Sequence, residues 1–170
     1  MANIILENVI LRTFEKSDID QLHKFRNDKA IAGSLGGFST GNSREAIDRK
    51  INSWEQHGNT MIWAVALKEN DLCIGHIGLY DIDYVSRKAE VGMLIGEQTY
   101  WGKGIGFAIT EAIVEFAFAQ LNLHNIQARV LENNLASLRV FEKLGFKKDG
   151  ILRDFQYRDG HYINAFHLAI

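Results

Sequence analysis

The sequence predicts an α+β (mixed α/β) sandwich, with one mixed, mostly antiparallel sheet of about seven strands and four helices on both faces. Three observations lead there. Apolar strand-like runs are interleaved with amphipathic helical segments instead of being segregated from them. The chain closes on a hairpin signal, Arg158-Asp159-Gly160 between two strand-like runs. An apolar run, Val91 to Ile95, passes through Tyr100-Trp101-Gly102-Lys103-Gly104-Ile105-Gly106 into a long helical stretch ending near Leu121.

From the N-terminus, Ile4 to Arg12 reads as a strand, and Ser17-Asp18 opens a helix running to about Arg26. Gly33, Gly36, Gly37 and Gly41 punctuate a loop, after which a helix from Ser43 to Gln56 carries Ile47, Ile51 and Trp54 on one side. Met61 to Lys68 and Leu72 to Tyr80 form a hairpin across Glu69-Asn70-Asp71, and Lys88 to Ile95 is the next strand. In the helix after the glycine loop, Ile105, Ile109, Ala112, Ile113, Phe116 and Ala117 share a face, which predicts packing against the sheet. Gln127 to Leu131 is a strand. Asn134 then caps a short helix whose Leu138, Phe141 and Leu144 share a face and which Gly145 stops. Ile151 to Tyr157 and His161 to Ile170 close the chain. The apolar run from Ala165 to Ile170 is either core or an edge shared with a second subunit, which leaves a homodimer open.

A length of 170 residues with 46% hydrophobic content suffices for one core, so a single domain over residues 1–170 is expected. There is no proline, no repeat and no serine-rich segment, which argues against linkers and solenoids. A net charge of -2 and a pI near 6.3 speak against a general nucleic-acid binder. The single cysteine, Cys73, rules out an internal disulfide and a cysteine-based zinc cluster, and no metal is expected. Its alternating surroundings, Leu72 to Leu79, mark it as a buried strand residue and not a nucleophile. No basic region precedes an apolar signal core, and no stretch approaches the ~20 apolar residues of a membrane span. A cytoplasmic protein without a membrane partner is the expectation.

The glycine loop has the chemistry of a phosphate cradle. Gly102, Gly104 and Gly106 remove the Cβ atoms that would keep a ligand off the backbone, and the following helix offers unpaired N–H groups and a positive dipole end. Dinucleotide loops are not matched, because Phe107 stands where the third glycine belongs and Ile109 does so in the other frame. The nucleoside-triphosphate loop is not matched either: Glu97 precedes Gly102-Lys103 where a glycine is needed, and Gly104 follows where Ser or Thr is needed. An unrelated nucleotide-binding domain is therefore disfavoured.

A second motif, Asn133-Asn134-Leu135-Ala136-Ser137-Leu138-Arg139-Val140-Phe141-Glu142-Lys143-Leu144-Gly145-Phe146, follows about thirty residues on. Together the two resemble the GNAT acetyltransferase superfamily, which pairs a Gln/Arg-x-x-Gly-x-Gly/Ala loop with an Asn…Tyr-Glu-Lys-x-Gly-Phe helix. Leu11-Arg12, Ala89-Glu90-Val91-Gly92, Gly150-Ile151-Leu152-Arg153 and Asp159-Gly160 resemble the branch containing ribosomal-protein N-terminal, polyamine and amino-sugar-nucleotide acetyltransferases. Two positions depart from the pattern: Trp101 replaces the loop's first Gln or Arg, and Phe141 replaces the frequent Tyr.

The resemblance implies acetyl-CoA as cosubstrate and a splay between the strand before the loop and the strand after its helix, with the pantetheine arm between them. It implies that the backbone of Met93, Leu94 and Ile95 binds pantetheine and that the N–H groups of Trp101, Gly102, Lys103, Gly104, Ile105 and Gly106 bind pyrophosphate. Asn134, Ser137 and Phe141 would then lie on the pantetheine side, and Lys103, Arg139 or Lys143 would meet the 3′-phosphate. The implied reaction is direct attack of a primary amine of a small molecule or peptide on the thioester. Such an amine, with a pKa of about 10, must first lose a proton, the oxyanion needs a donor from the strand Val91 to Leu94, and the thiolate needs a proton.

Glu90, just before the implied acetyl position, is the first candidate base. Asp81, Asp83 and Tyr84 are the next, and His76 ranks lower. Phe141 has no proton to donate. Ser137, four residues earlier on the same helix face, is the alternative donor, although a Ser in a first turn more often caps. Phe141 also keeps a second function open, a catalytically weak acyl-CoA-binding sensor module. For the acceptor, Arg26 and Asn27 in Phe25-Arg26-Asn27-Asp28 resemble a segment of amino-sugar-nucleotide acetyltransferases, whereas Asp159 to Ala165 resembles the tail of polyamine acetyltransferases. Tyr84 is a further acceptor candidate. Glu45, Asp48 and Glu55 interleave with Arg44, Arg49 and Lys50, which reads as a solvated helix face.

Overall fold

In this computed structural model, which describes residues 3–32, 41–56 and 58–170, the elements run β1 (Ile4–Ile5), β2 (Val9–Arg12), α1 (Ile19–Asn27), α2 (Lys29–Ala32), α3 (Arg44–Gln56), β3 (Met61–Leu67), β4 (Cys73–Asp83), β5 (Lys88–Ile95), α4 (Ile105–Ala119), β6 (Asn125–Leu131), α5 (Leu135–Lys143), β7 (Lys147–Arg158) and β8 (His161–Ala169). The strands form one sheet in the order β1-β2-β3-β4-β5-β6-β8-β7. Every pairing is antiparallel except β5 with β6. That exception follows from α4, which carries the chain back so that both strands run the same way.

The expected first strand is divided. A turn closed by Leu6 N–H donating to Val9 O at 2.9 Å folds β1 back onto β2, giving eight strands. The short α2 raises the helices to five among the described residues. Gly33, Gly36 and Gly37 lie outside the described residues. β8 sits between β6 and β7, so its apolar run is interior and β7 is the edge.

Alternation along the strands divides the apolar residues between two faces. On one face Trp63, Val65, Ile77, Leu79 and Val91 pack with Ile105, Ile109 and Ile113 of α4 and Leu138 and Phe141 of α5. On the other, Leu94 packs with Leu22 and Phe25 of α1, Ile31 of α2, and Ile47 and Ile51 of α3. Burying each such side chain stabilises the fold by roughly 1.5–3 kcal/mol, which fixes α1 and α3 opposite α4 and α5.

Arg12 ties the N-terminal strand to the sheet. Its guanidinium donates to both Asp18 carboxylate oxygens at 2.8 and 3.0 Å and to Asp71 Oδ1 at 2.8 Å, and both Arg12 and Asp18 are buried. The Asp18 hydrogen bond, opposed by burial, raises the Arg12 pKa further above its ordinary value. Asp18→Ala leaves that buried cation half-partnered, and the expected loss is about 3–5 kcal/mol, read from the denaturant midpoint. Asp20→Ala, removing the exposed pair with Arg44, should lose under about 1 kcal/mol.

Candidate active site

β5 and β6 are hydrogen-bonded only at Lys88 to Glu90 with Asn125 to Gln127. Beyond that point they part: β5 stays with β4 up to Ile95, while β6 pairs with β8 from Gln127 to Leu131. The V between them opens a cavity of about 270 Å³. Glu90 to Met93 line it from one strand and Arg129 to Leu131 from the other. Asn134, Ser137 and Phe141 of α5 close it on one face of the sheet, and Arg26, His76 and Tyr80 on the other. The gap is therefore lined from both faces of the sheet.

The glycine loop ends at the start of α4. Gly102 and Gly104 have φ of 74° and 80°, left-handed values that disfavour any side chain, and a Cβ on either would meet nothing within 4 Å. The first N–H groups of α4 have no partner inside the helix. Trp101 is used differently: its backbone N–H donates to Gln98 O at 3.0 Å, and its indole Nε1–H donates to Ile95 O at 2.8 Å. The indole thus pins the loop to the end of β5, and the open N–H surface begins after Trp101. Thr110 Oγ1 donates to Gly106 O at 2.7 Å and lies 3.2 Å from Met93 Sδ, joining α4 to the lining of the V.

Charge is concentrated where the two strands part. Glu90 Oε2 is 2.7 Å from the Arg129 guanidinium, whose pKa this bond raises. Tyr80, the register partner of Glu90 across β4 and β5, has its hydroxyl pushed up to about 12, mainly by burial, with Arg26 opposing and Glu90 reinforcing the shift. Burial pushes His76 down to about 3, assisted by the charges of Arg26 and Lys50. Trp54 stacks on the His76 ring at 5.4 Å, and Lys50 lies over Trp54 at 5.7 Å from its centroid. Lys50 therefore belongs to an aromatic wall and not to a freely solvated helix face.

Residues 8–147 match the family model of the acetyltransferase (GNAT) domain. The chain belongs to the GNAT acetyltransferase family. The uncharacterized N-acetyltransferase YoaA of Bacillus subtilis (strain 168) is 33% identical over 156 residues, 91% of this chain and 88% of that protein. Spermidine N(1)-acetyltransferase of Vibrio cholerae is 26% identical over 152 residues, 89% of this chain and 86% of that protein. Two solved structures share the fold. The spermidine N-acetyltransferase from Vibrio cholerae in complex with CoA and spermine has a TM-score of 0.87 at 23% identity, over 96% of this chain and 95% of that one. The ribosomal-protein-S5-alanine acetyltransferase from Vibrio fischeri has a TM-score of 0.86 at 21% identity, over 100% of this chain and 96% of that one.

In this N-acetyltransferase, Glu90, Met93, Asn134, Ser137, Phe141 and Arg26 come together around one cavity. Asn134 Oδ1 accepts from Ser137 N–H at 3.2 Å, so Asn134 is the cap and Ser137 is the residue capped. Phe141 packs edge-on against Phe146 at 4.9 Å. The Leu94 side chain is buried on the α1–α3 face, which leaves its backbone alone available to the V. Lys103 stands 5.0 Å over the Tyr100 ring, and Lys143 lines a separate groove between α4 and α5. The Asn27 carboxamide is engaged by His23 O, Asn42 O and Asn42 N–H, tying α1 to the start of α3. Tyr84 lies exposed in the turn after β4, outside the cavity lining. Asp83 accepts from the N–H groups of Val85 and Ser86 in that same turn.

Sequence reasoning passed over Arg129 and Tyr80. Both reach Glu90 through strand register, Tyr80 directly across β4 and Arg129 two residues beyond Gln127, the β6 partner of Glu90. The Arg129 contact spans a long stretch of chain, and the Tyr80 pairing depends on the register of β4 with β5, neither of which a spacing in the sequence announces.

His76 makes acid stability a readout of this wall. Its folded pKa, about 3, lies below the unfolded value of about 6.5, so between these limits the unfolded chain binds a proton that the fold refuses. The contribution is whole above the unfolded pKa and lost as pH falls through the window. Between pH 7 and pH 5 the loss due to His76 is expected to be about 2 kcal/mol. Denaturant midpoints at the two pH values should show this difference shrinking in His76→Gln.

Proposed function

We propose that this GNAT acetyltransferase moves an acetyl group from acetyl-CoA to a primary amine of a small molecule or peptide by direct attack, without an acyl-enzyme. The observation that carries this is the V between β5 and β6: a cavity lined by side chains from both faces of the sheet, beside a glycine loop with open space at Gly102 and Gly104. The loop fits a pyrophosphate, since the space a Cβ would fill at Gly102 and Gly104 is empty. In this reading the N–H groups of Gly102 to Gly106 hold the pyrophosphate, the β5 backbone from Val91 to Leu94 lines the pantetheine, and Asn134 and Ser137 face it from α5. The coenzyme supplies the activated acetyl thioester. Lys103 and Lys143 are the cations available to a further phosphate.

Glu90 accepts the proton of the incoming ammonium, directly or through water, and Arg129 fixes the orientation of its carboxylate. A β5 N–H stabilises the charge developing on the acetyl oxygen. Phe141 has no proton for the departing thiolate, so Ser137 Oγ or water serves; a thiol pKa of about 8.5 makes the unassisted departure tolerable. No helix among the described residues is long and apolar enough to cross a membrane, and cytoplasmic action is part of this reading. Release of CoA thiol from acetyl-CoA across a panel of amines and N-terminal peptides tests it. Amine-dependent release supports it, whereas tight coenzyme binding with silence across the panel would favour the sensor module that Phe141 keeps open.

A further inference from the structure

Among the described residues, two cations on the α1–α3 side of the sheet, Arg26 and Lys50, face no anion. Arg26 and His76 line the cavity, and Lys50 of α3 lies over Trp54, which stacks on His76. Among the described residues no carboxylate comes within ion-pair distance of either. The one carboxylate in the cavity lining, Glu90, is already taken by Arg129. Both free cations are partly withdrawn from water, and burial lowers the pKa of each. The charge of Arg26 lowers Lys50 further, so the two are close enough to repel. Burying neighbouring like charges without a counter-ion is unfavourable, and an anion supplied by a ligand would relieve it.

We propose that the acceptor is an amine that also carries a carboxylate or phosphate, with Arg26 and Lys50 holding the anionic group while the amine faces Glu90. This rests on the acetyl-transfer reading above and names its substrate class. The coenzyme phosphates are a poor match for these cations, because α1 and α3 lie on the face of the sheet opposite α4 and its glycine loop. Polyamines fit poorly too. A chain of ammonium groups would bring further positive charge to a wall that already holds two unpaired cations and the Arg129 guanidinium. An anionic amine reverses that sign, and Arg26 offers a planar fork suited to either oxyanion.

The test uses amines matched in size. Putrescine, 1-aminobutane and 4-aminobutanoate differ only at the end remote from the reacting amine, and glucosamine with glucosamine 6-phosphate supplies the phosphate arm. The anionic member of each set should be preferred in kcat/KM by about 10- to 100-fold, with most of the difference in KM. Arg26→Met should collapse that preference toward unity, Lys50→Met should reduce it, and Arg26→Lys should restore part of it. Preference for putrescine, or an undiminished preference in Arg26→Met, would overturn the proposal. Whether carboxylate or phosphate wins identifies the source of the anion.

A binding readout keeps this separate from failure of the acetyl-transfer reading. In protein saturated with CoA, so that the glycine loop is already filled, 4-aminobutanoate or inorganic phosphate should raise the thermal midpoint, and Arg26→Met should abolish the rise. A rise without turnover of any amine would count against acetyl transfer while supporting the anion site. Turnover with no anion-dependent rise and no preference would do the reverse.

Discussion

Gly104→Val is expected to weaken acetyl-CoA binding by about 10- to 100-fold and to destabilise the protein by about 1–3 kcal/mol. Both effects come from one backbone angle. Gly104 has φ of +80° at the residue that opens α4, and a β-branched side chain there is strained. The space over it is empty of protein, so the added methyl groups would intrude where the pyrophosphate is proposed to lie. Gly150→Val is the control: its position is equally open, but it lies in β7 and outside the left-handed region. Titration calorimetry on both variants should show affinity lost only in Gly104→Val. Unchanged affinity there would remove the loop from the coenzyme site.

The second large effect is expected from Glu90→Gln. The amide keeps the length of the side chain and a carbonyl oxygen for Arg129, but it cannot accept the proton of an ammonium. The turnover number should fall by about 10²- to 10⁴-fold while coenzyme affinity stays within about twofold. The acid limb of the pH–rate profile, which reports the base, should change with it. A drop of less than about fivefold in kcat would mean that the carboxylate only holds Arg129. Equal loss of coenzyme affinity in Glu90→Gln and Gly104→Val would undo the separation of roles between the strand and the loop.

Much of the fold was legible because its signals are local. The strand Lys88–Ile95 was expected with the bounds observed, and the apolar face of α4 was set by its 3.6-residue period, with Ile105, Ile109, Ile113 and Ala117 all buried. Ser43 and Asn134 were expected at helix starts, and both accept backbone N–H groups there. The split of the first strand was not legible, because Glu7-Asn8 is a weak turn signal inside an otherwise apolar run. At the candidate site the glycine loop and the Asn134 helix cap were readable from residue type and spacing, whereas Glu90 was singled out by the position that the resemblance implies. Arg129, Tyr80 and the wall of Lys50, Trp54 and His76 were not. Their contacts depend on register between distant strands and on packing of α3 over β4, neither of which leaves a periodic mark. Lys50 illustrates the difference: among interleaved charges it reads as a solvated residue, and only the fold sets it over an indole beside a second cation.

Acetyl-CoA is proposed to occupy the V of β5 and the glycine loop at once. Amide hydrogen exchange with and without saturating acetyl-CoA tests it most directly, since protection reports where backbone N–H groups become bonded or shielded. Slowed exchange is expected in peptides covering Val91–Ile95 and Gly102–Phe107 together, with ATP producing neither change. Protection of the loop without the strand, or equal protection of both by ATP, would contradict it.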